Sequence, residues 1–339
     1  IYKLINMKNI SRLKSTDDAI QLAKSVCEIV FKIVDSVQQP EDGSSQGQDD
    51  NDSSENDENR ESDGSSDGGG SKPEGSESKG EKLSPQMEKQ IKNMFDKQKD
   101  FVILPEMFAH FAAEFFIKEK IPYAIFVQNG YSIFPTNNTA KLKLAYKKCK
   151  FILSYSKDIK ECVSLAYPKE KKKIIDVKYS IDFKKFRKTK KKNVITYMPR
   201  KLRRHSELVI SFLKNYLPKK WKIKPLTNLT EKEVYKNLAE SKIFLAFSEL
   251  EGLPLPPVEA AISGNKVIGY TGEGGKEYWK KPIFTEVKSS EIKNFCKLIL
   301  SNLNLENFLK KSSSQRKKLS NMFSPKEEHN AITKFLKKI

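Results

Sequence analysis

From Phe101 onward the chain repeats one pattern, and that pattern restricts the fold more than any other feature. A short apolar run is followed by an amphipathic stretch of helical period, then by another apolar run. In a first series, strands are predicted at 102–104, 123–127, 151–155 and 174–177, with helices at 107–120 and 142–148. A second series puts strands at 194–198, 221–224, 243–247 and 266–270, with helices at 202–217, 231–240, 257–263 and 291–303. Buried strands joined by helices are the sequence form of a parallel sheet covered on both faces. Two such series separated by the basic stretch 184–192 predict two α/β domains with a cleft between them.

The first hundred residues cannot share that core. Residues 41–80 hold almost no large apolar side chain and carry 13 acids against 3 bases, the composition of a disordered acidic linker. The cluster Asp49-Asp50-Asn51-Asp52 lacks a folded frame and is not read as a metal site. Before the linker, Ser15 and Asp18 stand at capping-box spacing, and Leu22, Val26, Ile29, Val30, Ile33 and Val37 share one face of a predicted helix over 15–37. An initial Ile in place of Met is expected of a sequence that starts inside a longer reading frame. Charge divides at the same place. The chain carries 63 Lys+Arg and 43 Asp+Glu, which split as −7 before residue 101 and +27 after it. A basic body suits an anionic partner, whether a nucleotide diphosphate, a lipid headgroup or nucleic acid; a lysine-rich solubilising surface accounts for it equally well. Cys27, Cys149, Cys162 and Cys296 form no CxxC pair and lie near no His at ligand spacing, so they read as reduced thiols. No apolar run reaches the roughly 18 residues of a membrane span and no signal peptide is visible.

The chemistry concentrates in 247–261, Phe-Ser-Glu-Leu-Glu-Gly-Leu-Pro-Leu-Pro-Pro-Val-Glu-Ala-Ala. Glu251 and Glu259 stand on either side of a Gly/Pro turn that leads from a buried strand into a helix. Such a turn lies at the carboxyl edge of a sheet, exposes N–H groups and presents a helix's positive end, so a phosphate and a sugar could dock there between two carboxylates. Arg200 and Lys201 follow the first strand of the second series, where a guanidinium and an ammonium would neutralise phosphates. Arg203 and Arg204 extend the same basic surface. Gln128 and Asn129 end a strand facing the expected cleft. Gly272, Gly274 and Gly275 either permit a tight turn or let a ligand approach the backbone. His110, among Phe108, Phe111 and Phe115, reads as a packed core histidine.

Taken in order, Ile103-Leu104-Pro105-Glu106, Phe126-Val127-Gln128-Asn129-Gly130-Tyr131, Tyr197-Met198-Pro199-Arg200-Lys201, 251–260 and 269–278 resemble the landmarks of the group 1 glycosyltransferases, retaining enzymes of the GT-B fold that use nucleotide-sugar donors. The resemblance implies that Glu251 faces the donor sugar as the catalytic carboxylate and that Glu259 accepts from the ribose hydroxyls. It also implies that Arg200, Lys201, Gly252 and Leu253 hold the donor, and that Gln128, Asn129, Gly274 and Gly275 supply sugar or turn contacts. Pro254 stands where the family usually has Gly, which removes one N–H from the donor's reach. Amides at 128 and 129 stand near a position where many relatives carry His, and an amide cannot exchange protons near neutral pH. No metal and no other cofactor are expected, because the basic pair offsets the leaving-group charge.

The expected organisation is an amphipathic helical fragment (1–40), an acidic linker (41–83), a short helix (84–100), a partial acceptor-side Rossmann-like domain (101–185), a complete donor-binding Rossmann-like domain (186–304) and a helical tail (305–339). With the opening strands of the first domain missing, its sheet is expected to expose an apolar edge, and transfer to be slow. The function expected is retaining transfer of a hexose from a nucleotide-diphosphate sugar to a glycan or lipid-linked acceptor. Expected partners are the nucleotide sugar, that acceptor and an anionic membrane surface contacted peripherally from the cytoplasmic side; nucleic acid is disfavoured. The alternative is a non-catalytic nucleotide- or nucleic-acid-binding module using the basic body.

Overall fold

The computed structural model describes residues 4–6, 100–186 and 189–339. The helix predicted over 15–37, the acidic linker and nearly all of the helix predicted over 84–100 lie outside these residues; Asp100 itself opens a strand. Two five-stranded sheets organise the rest. The first runs in the order β1 (Leu4–Asn6), β2 (Asp100–Pro105), β3 (Tyr123–Val127), β4 (Phe151–Ser154) and β5 (Ile174–Asp176). The second comprises β6 (Lys192–Tyr197), β7 (Lys222–Pro225), β8 (Ser241–Ala246), β9 (Lys266–Gly269) and β10 (Phe284–Glu286), in the spatial order β10-β9-β8-β6-β7. Every pairing is parallel except β1 with β2, which is antiparallel.

That exception corrects one expectation. The outer edge of β2 is covered over its first half: Leu4, Ile5 and Asn6 pair with Val102, Phe101 and Asp100, while residues 103–105 have no strand partner on that side among the described residues. A strand edge becomes an aggregation site only while its N–H and C=O groups lack partners.

The helices between strands follow from caps and periodicity. After β2, residues 106–116 form 3-10, α and π turns in succession, with α1 (Ala109–Phe111) in the middle, and not the single helix predicted over 107–120. Lys120, at φ 56°, turns the chain back into β3. α2 (Thr139–Lys148) and α3 (Lys157–Ala166) start at Asn138 and Ser156, whose side chains accept the N–H groups of Lys141 and Ile159. In the second half α4 (Arg203–Leu213) precedes β7. α5 (Glu231–Glu240) opens on a complete capping box between Thr230 and Glu233, and α6 (Leu255–Ile262) follows β8. α7 (Ile292–Ser301), α8 (Phe308–Lys311), α9 (Ser313–Met322) and α10 (Pro325–Leu336) complete the chain.

The core strands are buried on both faces, as the near-continuous apolar runs require: Ile125, Ile152, Ile195, Ile243, Val267 and Ile268 are fully enclosed. The last helix does not trail away. Phe335 of α10 returns to the first sheet and packs with Phe101 and Phe151, ring centroids 6.2 and 5.8 Å apart. The segment between β5 and β6 is tied to the same C-terminal helices, Ile181 N–H donating to Phe323 O at 3.0 Å and Ser180 Oγ to Glu328 at 2.7 Å.

Candidate active site

The loops after β8 and β9 are joined to each other. Leu250 takes φ 48°, Glu251 then pairs with Glu273 in an isolated parallel bridge, Glu251 N–H donates to Gly272 O at 2.9 Å, and Gly274 N–H donates to Glu251 O at 3.0 Å. Gly272 bends with φ 63°. At Gly274 the reason for glycine is the neighbour: a Cβ there would lie 2.0 Å from Gly252 O. Gly275 has more room, a Cβ meeting Tyr278 Oη at 3.2 Å.

The same backbone sets the start of α6. Its four N–H positions free of intrahelical partners are those of residues 254 to 257, and three of these, Pro254, Pro256 and Pro257, are prolines with no N–H. Only Leu255 keeps a donor. The fixed φ of proline suits a first turn, and Pro254 is held by the buried hydroxyl of Tyr278, which donates to its carbonyl. The helix therefore brings the positive end of its dipole but little hydrogen-bonding capacity, so an anion placed there would depend on side chains and on the Gly252 and Leu253 N–H groups.

Glu251 and Glu259 emerge on either side of that start. Glu251 is mostly enclosed, its side chain 17 % exposed, and Lys201 reaches it at 2.8 Å. The sequence assigned these two residues to different tasks; the structure joins them. Glu259 sits half-buried on α6, where burial raises its pKa above the ordinary carboxylate value. It accepts a long hydrogen bond of 3.4 Å from the Tyr235 hydroxyl. Tyr235 also reaches Glu231 at 3.0 Å, Glu231 pairs with Lys185 at 2.8 Å, and Phe186 lies edge-on to the Tyr235 ring. Arg200 is exposed on the turn that follows β6.

The first half closes on this turn from the opposite side. Glu106, buried at the end of β2, accepts the N–H groups of Gln128 and Asn129, each at 3.0 Å; burial raises its pKa against those hydrogen bonds. The carboxylate thus fixes the loop after β3. Asn129 in turn donates from Nδ2 to Leu250 O at 3.0 Å, and the Tyr155 hydroxyl donates to Gln128 O. Gly252 meets the first half so closely that a Cβ would lie 2.6 Å from Ile159 Cγ1 and 2.9 Å from Gln128 O. Glu277 accepts the N–H of Lys157, in the first turn of α3, at 3.0 Å and completes the contact. Gln128, Asn129, Gly252, Leu253, Gly274 and Gly275 therefore lie along one seam between the halves, with Glu251 and Lys201 beside it.

Glu106 and Glu277 lay in the landmark segments but were given no role of their own, and Tyr235 was passed over. Glu106 was within reach as a carboxylate following a buried strand; the contacts of Glu277 with Lys157 and of Tyr235 with Glu259 join segments distant in sequence. Lys191, in the basic stretch 184–192, does not stand free in solvent: it is half-buried and donates to Leu238 O at 3.0 Å, and burial lowers its pKa to about 7.

Among known proteins, no family model matches the chain and no curated protein matches it by sequence. Solved structures do match. HepE of Anabaena, crystallised with UDP, superposes with a TM-score of 0.61 over 75 % of this chain and 82 % of its own, at 12 % identity. Sucrose-phosphate synthase of Thermosynechococcus elongatus gives 0.55 over 75 % and 77 %, at 10 % identity. The pneumococcal O-GlcNAc transferase GtfA, with UDP and GlcNAc, gives 0.51 over 74 % and 58 %, at 13 % identity. The fold is GT-B, as the paired βα series and their motifs led one to expect.

Proposed function

We propose that the chain is a glycosyltransferase that moves a hexose from a nucleotide-diphosphate sugar to a glycan or lipid-linked acceptor with retention of configuration. One observation carries the reading: two carboxylates flank the start of α6 at the carboxyl edge of the second sheet, with Lys201 against one of them and the loops of the first sheet opposite. Likeness to HepE and GtfA, whose crystals contain UDP, supports a uridine nucleotide as the first donor to try.

In this reading Glu259 accepts from both ribose hydroxyls, a task that suits a carboxylate's two oxygens. Lys201 exchanges Glu251 for the diphosphate, and Arg200 swings in from solvent to the same oxygens. Glu251, released, faces the sugar. The bound diphosphate is neutralised by these cations, by the Gly252, Leu253 and Leu255 N–H groups and by the α6 dipole, with no metal required. Gly252 lies against Ile159, so a donor enters by parting the two halves, and closure over it excludes water. Gln128 and Asn129 offer hydrogen bonds to sugar hydroxyls once Asn129 leaves Leu250. Neither exchanges a proton near neutral pH, and turnover is accordingly slow. We place the protein on the cytoplasmic side, in peripheral contact with an anionic membrane. Among the described residues no helix is long and apolar enough to cross a bilayer.

Calorimetric titration with UDP- and GDP-sugars tests the donor assignment, and the anomeric configuration of any product tests retention. A protein that ignores every nucleotide sugar yet binds RNA with a steep salt dependence is the non-catalytic module that the basic body also permits.

A further inference from the structure

Between Glu207 and Glu231 the chain carries no acid and no arginine, but five lysines: Lys214, Lys219, Lys220, Lys222 and Lys224. All five are exposed. They surround the C-terminal end of α4, its turn and β7, the outer strand of the second sheet. Phe212 is 52 % exposed and Tyr216, one turn further, 72 %. Single exposed apolar residues need no explanation. Here two of them stand close in sequence to the five lysines, and Lys214, Leu217, Pro218 and Lys219, with Tyr197, Trp221 and Ile223, line a surface pocket of about 340 Å³.

We propose that this face seats the protein on an anionic lipid surface, the two aromatic rings at headgroup depth and the lysines against lipid phosphates and carboxylates. Charge complementarity selects this occupant. Lysine is a strongly hydrated point charge suited to a diffuse anionic plane, whereas nucleic-acid recognition favours the forked guanidinium, which this face lacks. The rings are exposed in the last turn of α4 and just past it, as interfacial aromatics are, and neither lines the neighbouring pocket, where bases would stack. An added peptide strand is disfavoured too, because Lys222, Lys224 and Pro225 blunt the edge of β7.

The inference deepens the peripheral-contact part of the proposed function, and it is tested separately from it. The full chain is floated with vesicles of phosphatidylcholine alone and of phosphatidylcholine with phosphatidylserine. Binding is expected only to the second, weakening with salt. With about fivefold in affinity per lysine near the surface, replacing Lys214, Lys219, Lys220 and Lys222 together by Gln should reduce binding several-hundred-fold. The same change at Lys310, Lys311, Lys317 and Lys318, exposed on other helices, should alter it no more than about tenfold. Phe212→Ser with Tyr216→Ser should keep a weak, salt-sensitive attraction and lose about tenfold. Unchanged thermal unfolding shows that each variant is folded. Equal loss in the two lysine sets, no affinity for phosphatidylserine vesicles, or displacement of the vesicles by single-stranded RNA at lower concentration would overturn the assignment. Vesicle binding without nucleotide binding would leave it standing and remove the donor reading instead.

Discussion

Gly274→Ala probes whether the glycines after β9 serve the loop or a ligand. An added Cβ would lie 2.0 Å from Gly252 O, 2.3 Å from Gly252 C and 2.7 Å from Glu251 O, all backbone atoms. Ordinary contact begins near 3.4 Å, so the Gly252 carbonyl must retreat by about 1.4 Å. No rotamer can absorb that, and the movement pulls apart the Gly274–Glu251 hydrogen bond of 3.0 Å. Overpacking costs about 1–3 kcal/mol and the lost backbone bond about 1 kcal/mol, a destabilisation of about 2–4 kcal/mol. For a structure of this size it corresponds to a fall in Tm of about 5–15 °C. Gly275→Ala meets only the Tyr278 hydroxyl at 3.2 Å and the Pro254 ring at 3.3 Å, and should fall by no more than about 3 °C, equivalent to about 1 kcal/mol. Differential scanning calorimetry of the two variants beside the parent decides the matter. If Gly274→Ala unfolds with the parent and loses only nucleotide affinity, the glycine serves the ligand and the close approach has been misjudged.

Further outcomes follow from the site. Glu259→Ala should weaken UDP-sugar binding by about 1–3 kcal/mol in calorimetry, while Glu251→Ala should lower turnover more than affinity. Because burial raises the Glu259 pKa, donor affinity of the parent should strengthen as pH rises through that elevated value and then level off, a rise absent from Glu259→Gln. Lys201→Ala with Arg200→Ala should abolish nucleotide diphosphate binding and leave Tm within about 2 °C, the size expected of exposed positions; equal loss from Lys190→Ala would indicate diffuse charge instead. Lys191 has its pKa lowered from 10.5 to about 7, so between those values the unfolded chain holds more protons than the folded one. The parent's stability should climb with pH across that window, and Lys191→Met should flatten the climb by a few kcal/mol, read from urea midpoints at either end. Addition of EDTA should leave donor affinity unchanged; a loss restored by magnesium would show that Lys201 and Arg200 do not suffice for the diphosphate.

Much of this molecule was legible before its structure because strands and helices of a parallel sheet announce themselves locally. A run such as 243–247, too short for a buried helix, reads as a strand, and the Thr230–Glu233 box marks a helix start in four letters. The two glutamates were found the same way, from a turn whose residues stand next to each other in sequence. What escaped were contacts between distant segments. Leu4–Asn6 is three residues long and gains its strand identity from a partner nearly a hundred positions away. Lys191 looks like its neighbours at 190 and 192 until Leu238 O is seen above it. The loss of N–H groups at the head of α6 was readable throughout, since proline lacks a donor in any fold, but its weight appears only once the helix is known to begin at Leu255.

The return of α10 to the first sheet joins segments that stand far apart in sequence, Phe335 against Phe101 and Phe151. Phe101 and Phe151 are translated well before the ring that packs on them, Phe335. Until then the cluster around Phe101 and Phe151 lacks one of its buried members. A chain nicked before α10 therefore loses the ring that packs on Phe101 and Phe151, and a protease or chaperone that finds those rings is in effect checking that α10 is in place.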